Sequence, residues 1–380
     1  MRAVMIALSV LIGVSVSAST LTLAEYEDKC RGAWAGQMIG VSYGSVYEFK
    51  YLGRIMEDDI REWQPEFIHN AIYQDDVYVE MTFLQALEDH GIDITNEQAG
   101  KAFADSEYPL WHANRYGREN CRNGIMPPLS GHPDHNQHAD DIDFQIEADL
   151  FGIITPGMPQ AMLKLGDRFG HIMNYGDGVY GGMFVAGMYS AAFFEDDVRT
   201  VVATGLACIP PQSEYAQLIS DVVASYDADT SDWRACWQLL EDKWAADDLC
   251  PGGRGNLFNI DAKLNGGYIA IGLLYGEGDF DKTLEISTRC GQDADCNPSN
   301  AAGVLGCMMG YDGIPSQYTD GIPAVQDEEF SHTNYDFASL VDACSGVVRE
   351  IIEANGGEIT GRADAESWEL PDQAFAPEKT

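Results

Sequence analysis

A stripe of glycines near the start of the chain places the strongest limit on how it can fold. In the segment KCRGAWAGQMIGVSYG glycine recurs at every fourth residue, at Gly32, Gly36, Gly40 and Gly44. On an α-helix this spacing puts all four on one face, where the missing side chains let another helix or loop approach the backbone closely. Glycine disfavours a helix, so only tight packing offsets its presence there. The stripe therefore predicts a helix packed closely against a second segment.

Helical periodicity continues along most of the chain, and the alternation typical of strands is scarce. After Asp76 apolar residues recur at helical spacing, and Gly91 is predicted to end that helix. In NPSNAAGVLGCMMG, Asn297 is predicted as the N-cap of a later helix and Pro298 as its first residue. We therefore predict an all-α fold with a single compact domain over residues 26–355.

Three segments are predicted to lie outside the compact part of this domain. Residues 1–18 combine one Arg, a short apolar run and small residues, which is the pattern of a cleavable signal peptide. We therefore expect a secreted or periplasmic protein, cleaved near Ala18 or Ala24. Residues 231–259 are predicted to form a peripheral insertion. Residues 361–380 are acidic and lack periodicity, which predicts a loose tail.

The chain is strongly acidic, with 22 Lys and Arg against 61 Asp and Glu and a formal net charge of −39. Such a surface repels phosphate backbones and anionic membranes, which argues against nucleic-acid and membrane partners and leaves a small-molecule ligand as the expected one. No pattern in the sequence fixes the oligomeric state. In so acidic a chain, an isolated Asp-Asp pair is a solvated turn or a helix cap far more often than a metal site.

Two acidic motifs differ from the others in their context. Asp75 and Asp76 open the long amphipathic helix, and Asp293 and Asp295 lie in a short loop that leads into the later helix. Both pairs thus lie at helix N-termini, where backbone N–H groups and the helix dipole favour anions. If the two loops meet, four carboxylates converge, which requires cations between them. Hard divalent ions with oxygen ligands, Mg²⁺ above all, meet that requirement.

Residues 26 to about 313 resemble the ADP-ribosylglycohydrolase family. The glycine-spaced helix is followed by Glu48, which falls on the family's active-site glutamate. Gln74 and the two aspartates after it correspond to the family's Thr-Asp-Asp. The Asp-x-Asp-Cys that ends at Cys296 corresponds to its late Asp-x-Asp-Thr. These motifs are individually weak, but they occur in the family's order and at its distances.

The resemblance implies an all-α fold with two Mg²⁺ ions in a central cleft, Mn²⁺ and Ca²⁺ being alternatives. The implied metal ligands are Gln74, Asp75, Asp76, Asp293, Asp295 and Cys296. The resemblance also implies hydrolysis of an N- or O-glycosidic bond in an ADP-ribosyl or related ribosyl substrate. In that reaction Glu48, Asp76 and Asp293 are the implied catalytic residues.

Three positions depart from the family's pattern. Gln74 can offer its amide oxygen in place of a threonine hydroxyl, whereas Cys296 offers a soft thiol that suits Mg²⁺ poorly. Val41 stands where the family usually has an aspartate. Either one metal is bound by fewer protein groups, or Cys296 pairs with Cys290. Two alternatives therefore stay open: a binding protein with impaired catalysis on the same scaffold, and a metal-free glycosidase that uses two carboxylates.

A glycine-rich segment, YGDGVYGG, formally matches a dinucleotide-binding fingerprint, but its flank is not a buried strand and no βαβ pattern follows. By the resemblance this segment lies beside the diphosphate of ADP-ribose, with backbone amides available to it. The residues assigned to substrate binding are Gly176, Asp177, Gly178, Tyr180 and Gly181. Close packing of the glycines against neighbouring segments is the alternative.

Two further clusters carry titratable side chains. The histidines of a Pro- and Asn-rich stretch, together with Asp134, indicate either a zinc site or an exposed loop; they are His132, His135 and His138. In ADDIDFQIEADLFGI, one helical face would hold Asp143, Glu147 and Leu150. That face either borders the cleft or forms an acidic surface.

Overall fold

Helices make up most of the structure. The computed structural model describes residues 19–245, 257–362 and 365–377, so the predicted signal peptide, residues 1–18, lies outside the described residues. Within those ranges there are sixteen α-helices and three short strands. The helices are α1 Leu23–Gly44, α2 Asp75–His90, α3 Asn96–Asp105, α4 His112–Arg122, α5 Asp143–Glu147, α6 Asp149–Ile153, α7 Pro159–Gly170, α8 Asp177–Ala192, α9 Val198–Ala207, α10 Glu214–Ala228, α11 Trp233–Lys243, α12 Ala262–Gly276, α13 Phe280–Arg289, α14 Cys296–Met309, α15 Ser316–Thr319 and α16 Phe337–Ala354; the strands are β1 Thr20–Thr22, β2 Glu358–Thr360 and β3 Ser367–Glu369. The predicted all-α class is confirmed.

The glycine stripe packs α1 against α14. A methyl group added at Gly36 would lie 2.1 Å from the carbonyl oxygen of Ala302, and one added at Gly44 would lie 1.8 Å from that of Ala294. Later glycines of α1 therefore meet earlier residues of the α14 region, so the two helices run antiparallel. The predicted close approach is confirmed, and its partner is the helix that follows Asp293 and Asp295. The stripe thus positions the acidic loop that precedes α14.

The boundaries of α14 differ from the prediction. The helix begins at Cys296 with Asp295 as its N-cap residue, so the prediction that Asn297 is the N-cap is wrong. Pro298 occupies the third helical position instead of the first. It is tolerated there because the first four N–H groups of a helix have no intrahelical partner.

The boundaries of α2 agree better with the prediction. It ends before Gly91, whose φ of 76° lies in the left-handed region that favours glycine. Its N-cap residue is Gln74, and Asp75 and Asp76 are its first two residues. The two aspartates are therefore not cap residues, although both lie in the first turn, where the helix dipole favours a negative charge.

The C-terminal segment is more ordered than predicted. Strand β3 pairs antiparallel with both β1 and β2, and the indole of Trp368 is fully buried against the ring of Tyr26. The prediction of a loose tail from Gly361 is therefore wrong for this part of the chain. A strand of three residues with a single inward side chain is too short to produce a periodic signal.

The predicted insertion at residues 231–259 contains α11, which packs against α10 and α12. Its buried side chains are Trp233, Cys236, Trp237 and Leu240. Residues 246–256 of the insertion lie outside the described residues. Across the described ranges, no helix has both the length and the apolar character that crossing a membrane requires.

Candidate metal centre and active-site cleft

A cleft of about 320 Å³ opens where the turn after α1, the N-terminus of α2 and the loop before α14 come together. Six carboxylates line it: Glu48, Asp75, Asp76, Asp143, Asp293 and Asp295. A more open groove of about 670 Å³ lies between α2 and α3, but its acids, Asp89, Asp105 and Glu107, are exposed to solvent. The structure therefore brings together the two acidic motifs, which are more than 200 residues apart in the sequence.

Three of these acids have oxygens that lack a partner. Asp76, Asp293 and Asp295 are at most 3% exposed, and the Oδ1 atom of each accepts no hydrogen bond from the part of the chain that the structure describes. A buried carboxylate oxygen without a partner is costly, because it has lost water and gained nothing in return. Divalent cations with oxygen ligands supply what these atoms lack, so the donor set fits a hard metal ion.

Mutual repulsion and burial disturb the protonation of the cluster. Desolvation raises the pKa of Asp75 to about 6, with a further contribution from the charge of Asp295. Glu48 remains in contact with solvent at the mouth of the cleft, yet desolvation by the cleft walls and the charges of Asp295 and Asp75 raise its pKa to about 8. Desolvation also raises the pKa of Asp76 and Asp293, again followed by the charge of Asp295. Without a cation, the cluster therefore retains protons near neutral pH.

Gln74 and Cys296 complete the lining at the two helix starts. The side chain of Gln74 makes no capping hydrogen bond, although it occupies the N-cap position. The Cys296 sulfur lies within 4.8 Å of carboxylate oxygens of Asp293 and Asp295. Burial raises the pKa of its thiol, and the charge of Asp293 raises it further. Cys296 therefore presents a neutral thiol, which is a poor ligand for a hard cation.

A disulfide does not explain the cysteine at this position. The eight cysteines of the described ranges are all buried free thiols, and both Cys290 and Cys296 are among them. The alternative in which Cys296 pairs with Cys290 is therefore wrong. Cys250, the ninth cysteine, lies outside the described residues.

The sequence matches the model of the ADP-ribosylglycohydrolase family over residues 22–349. The chain belongs to the ADP-ribosylglycohydrolase family. It is also similar in fold to a solved structure described as an ADP-ribosylglycohydrolase-related protein complex. The TM-score is 0.57 at 14% sequence identity, and the match covers 86% of this chain and 99% of the other. A comparison with curated proteins gives no match.

Asp143 is buried in the wall of the cleft and does not lie on an acidic surface. Its carboxylate accepts hydrogen bonds from the backbone N–H groups of Ala113 at 3.2 Å and Asn114 at 2.9 Å, which fixes the start of α4. Desolvation, followed by the charge of Asp141, raises its pKa to about 7. Glu147 lies behind it, fully buried and hydrogen-bonded to the Asn114 side chain.

The single helical face predicted for Asp143, Glu147 and Leu150 is divided between two short helices. Helix α5 ends at Glu147 and α6 begins at Asp149, with Ala148 between them. All three predicted side chains are buried, and Asp143 is the one that lines the cleft. The alternative of an acidic surface helix is therefore wrong.

No residue of the glycine-rich segment, all of which the structure describes, lines the cleft. The residues predicted to bind substrate were Gly176, Asp177, Gly178, Tyr180 and Gly181. A methyl group added at Gly178 would lie 2.3 Å from the carbonyl oxygen of Ala139, and the Asp177 carboxylate accepts the backbone N–H of Tyr215 at 3.2 Å. These contacts support the alternative interpretation, in which the glycines allow close packing against neighbouring segments.

The histidine-rich stretch allows two interpretations, a zinc site or an exposed loop, with His132, Asp134, His135 and His138 as the residues concerned. Asp134 and His135 are exposed and the four side chains do not form one ligand group, which favours the loop. The ring of His132 contacts that of Tyr175, with centroids 4.7 Å apart. His138 instead hydrogen-bonds through Nδ1 to Asp141 Oδ2 at 2.6 Å and lies against the ring of His112. The sequence analysis missed His112 because it is 26 residues from His138 and no local pattern singles it out.

Two aromatic residues at the cleft mouth were also missed. Tyr73 and Trp111 line the cleft, and they remain 57% and 55% exposed. Exposed aromatic side chains beside a cleft offer a flat apolar surface on which a ligand can pack. Tyr73 lies two residues before α2 and Trp111 directly before α4, and no local sequence pattern marks either as a cleft residue.

Proposed function

We propose that this chain is a metal-dependent glycohydrolase that cleaves an N- or O-glycosidic bond of an ADP-ribosyl or related ribosyl substrate. The observation that carries the proposal is the set of unpartnered, buried carboxylate oxygens of Asp76, Asp293 and Asp295 beside Glu48 in one cleft. Membership of the ADP-ribosylglycohydrolase family supports the substrate class.

The proposed metal ligands come from both helix starts. Mg²⁺ would be held by Asp75 and Asp76 at α2, with the Gln74 amide oxygen, and by Asp293 and Asp295 before α14. Bound Mg²⁺ supplies Lewis acidity and orients the ribose hydroxyls and a water molecule. Cys296 would contribute little to binding, since its neutral thiol is a soft donor.

Glu48 is the carboxyl group best suited to move a proton. It lies exposed at the cleft mouth and outside the proposed set of metal ligands, so it can exchange a proton with a bound substrate and with water. A protonated carboxyl can donate to the oxygen or nitrogen of the leaving group, as the acid of a glycosidase does. Asp143 is less suited, because its oxygens already accept two backbone N–H groups.

The rest of the cleft suits a planar group and a ribosyl ring that develops positive charge. Tyr73 and Trp111 offer exposed aromatic faces at the mouth, on which a nucleobase could stack. The carboxylates deeper in the cleft would stabilise the positive charge of an oxocarbenium-like transition state. If the predicted signal peptide directs export, free nucleotide sugars or other ribosides are more accessible substrates than intracellular ADP-ribosylated proteins.

The test is release of ADP-ribose from ADP-ribosyl-arginine and related ADP-ribosides, measured with Mg²⁺ and then with the metal chelated. Wild type is expected to act only with metal, and Asp75→Ala and Asp293→Ala are expected to be inactive. Asp196→Ala, an exposed member of another Asp-Asp pair, is the matched control and should keep wild-type activity. Activity that persists in EDTA would point instead to a metal-free glycosidase.

A ligand-binding protein without catalysis is the second candidate. The neutral thiol of Cys296 among the carboxylates favours it, because the thiol weakens one side of the metal centre. Calorimetry with Mg²⁺, Mn²⁺ and Ca²⁺ separates the two candidates when combined with the assay. Saturable metal binding without turnover on any riboside would support the binding protein.

A further inference from the structure

A second group of potential metal ligands lies next to the carboxylate cluster. His112 Nδ1 is 3.6 Å from Asp141 Oδ2, and His138 Nδ1 is 2.6 Å from the same oxygen. One ligand atom from each of the three residues lies within 4.8 Å of the other two. The Asp141 side chain is fully buried, and the side chains of His138 and His112 are 14% and 28% exposed. All three groups therefore face one small, largely enclosed space.

We propose that His112, His138 and Asp141 form a separate site for a divalent transition-metal ion, with Zn²⁺ the best match. Two imidazole nitrogens and one carboxylate oxygen are a common ligand set for such ions, whereas Mg²⁺ prefers oxygen alone. Zn–N and Zn–O bonds of about 2.0–2.2 Å in a tetrahedron place ligand atoms about 3.3–3.5 Å apart. The 3.6 Å separation already fits, and the hydrogen-bonded pair at 2.6 Å would have to open by less than about 1 Å.

The surrounding contacts hold these side chains in place. His112 has a φ of 38°, in the left-handed region that residues other than glycine adopt uncommonly. Its ring stacks on Phe258 with centroids 6.0 Å apart and meets the His138 ring edge-on at 5.3 Å. The backbone of Asp141 is fixed by a hydrogen bond from Asn174 Nδ2 to its carbonyl oxygen at 2.6 Å. Ligands held in this way lose little conformational entropy when they bind a metal.

The site would border the space that a substrate occupies. His112 lines the carboxylate cleft, whereas Asp141 and His138 lie behind it. Three protein ligands leave at least one coordination position for water or an oxygen of a bound ligand, as in catalytic rather than structural zinc sites. An ion here would therefore add a positive charge to one wall of an acidic cleft, where it could attract an anionic group such as a phosphate.

Metal content distinguishes this proposal from a hydrogen-bonded His–Asp pair. The full chain is equilibrated with Zn²⁺ in the presence of saturating Mg²⁺, and bound zinc is counted by mass spectrometry; Co²⁺ replaces Zn²⁺ for visible spectroscopy. We expect one Zn²⁺ per chain in wild type and in His132→Gln, the matched control from the same loop. In His112→Gln and His138→Gln the affinity should fall by at least about tenfold. A Co²⁺ spectrum with histidine ligation should disappear in the same two variants.

Further variants separate this site from the carboxylate centre. Asp293→Asn and Cys296→Ser should keep the bound zinc, because neither residue belongs to the proposed set. Zinc lost only in these two, or retained in both His112→Gln and His138→Gln, would overturn the proposal. If His138→Gln fails to fold, His112→Gln decides alone, since His112 Nδ1 lies 3.6 Å from Asp141 Oδ2, beyond hydrogen-bond distance, and the substitution breaks no hydrogen bond to that carboxylate. Because binding is read without substrate, the outcome is independent of the proposed glycohydrolase activity.

Discussion

Two groups of buried acids in this fold differ in what surrounds their carboxylates. Asp149 accepts hydrogen bonds on both oxygens: from Gln37 at 3.0 Å and Tyr189 at 2.7 Å on Oδ2, and from Asn300 at 2.7 Å on Oδ1. Glu80 beside it accepts from the same Gln37 amide and, on its other oxygen, from a backbone N–H at 2.8 Å. Every carboxylate oxygen of this pair has a partner, although Gln37 Oε1 and Asn300 Oδ1 have none among the described residues.

The cleft acids are buried to a similar extent, but three of them lack a complete set of hydrogen-bond partners among the described residues. Asp76, Asp293 and Asp295 each retain a buried oxygen without a hydrogen-bond partner within the described ranges. Burial alone therefore does not identify a functional acid in this protein. The informative difference is the missing hydrogen-bond partner. Three unpartnered carboxylate oxygens in one cleft can be stabilised by a bound cation.

The largest effect is expected when the hydrogen bonds to the Asp149 carboxylate are removed. Asp149→Ala removes the acceptor of three buried donors, each of which costs about 1–3 kcal/mol when left unpaired. We expect the free energy of unfolding to fall by about 3–5 kcal/mol, measured by urea denaturation in EDTA. The same substitution in the cleft, Asp293→Ala, should change it by no more than about 1 kcal/mol or increase it, because it relieves repulsion among acids. Equal losses in the two variants would contradict the comparison.

Stability should fall more steeply with rising pH without metal than with it. A carboxyl with a raised pKa in the folded state keeps a proton that the unfolded chain has released, so stability is lost as pH rises toward the folded value. In EDTA, the pKa values of about 6 for Asp75 and about 8 for Glu48 place this loss between about pH 4 and 8. The slope is up to about 1.4 kcal/mol per pH unit for each proton involved.

Saturating Mg²⁺ should remove the part of this loss that belongs to Glu48 and the proposed metal ligands, since the charge of the cation takes the place of the protons. Asp143 and Asp149, whose pKa values are both raised to about 7 by desolvation first, should keep their share in either buffer. The melting temperature measured from pH 4 to 8 in EDTA and in Mg²⁺ separates the two contributions. Identical profiles in the two buffers would mean that no cation binds the cleft acids.

Metal affinity should depend on the cleft acids and on no other acidic pair. Asp293→Asn removes the charge of one proposed ligand and nearly preserves its shape. Because loss of groups outside the ligand shell already lowers affinity by about 10–100-fold, we expect a loss of at least about 100-fold for Mg²⁺ by calorimetry. Asp196→Asn, an exposed aspartate from another Asp-Asp pair, should bind as wild type does. A similar loss in both variants would indicate a general charge effect instead of a site.

The sequence predicted the parts of the site that depend on short-range patterns. The spacing from Gly32 to Gly44 predicts a helix face that another segment approaches, because the spacing fixes which residues share a face. It cannot identify Ala294 and Ala302 as the contacted residues, because the partner helix is some 260 residues away and many helices could fill that role. The order of the acidic motifs carried the family resemblance, which supplied the missing long-range pairing.

Other features left little or no local signal. His112 and Asp141 meet only through tertiary packing, and the three-residue strand around Trp368 is too short to show a period. Asp149 did leave a signal, since an acid inside the apolar run of ADLFGI needs hydrogen-bond partners if that run is buried. Gln37, Tyr189 and Asn300 supply them.

The smallest expected effect concerns the one soft donor among the cleft acids. Cys296→Thr replaces a buried neutral thiol with a hydroxyl of similar size, which is a better ligand for Mg²⁺. We expect Mg²⁺ to bind about tenfold more tightly, equivalent to about 1.4 kcal/mol, by calorimetry. Cys290→Ser, a second buried thiol outside the cleft, should leave affinity unchanged. Unchanged affinity in Cys296→Thr would mean that this position lies beside the ions without contacting them. Metal binding would then be due to the cleft carboxylates alone.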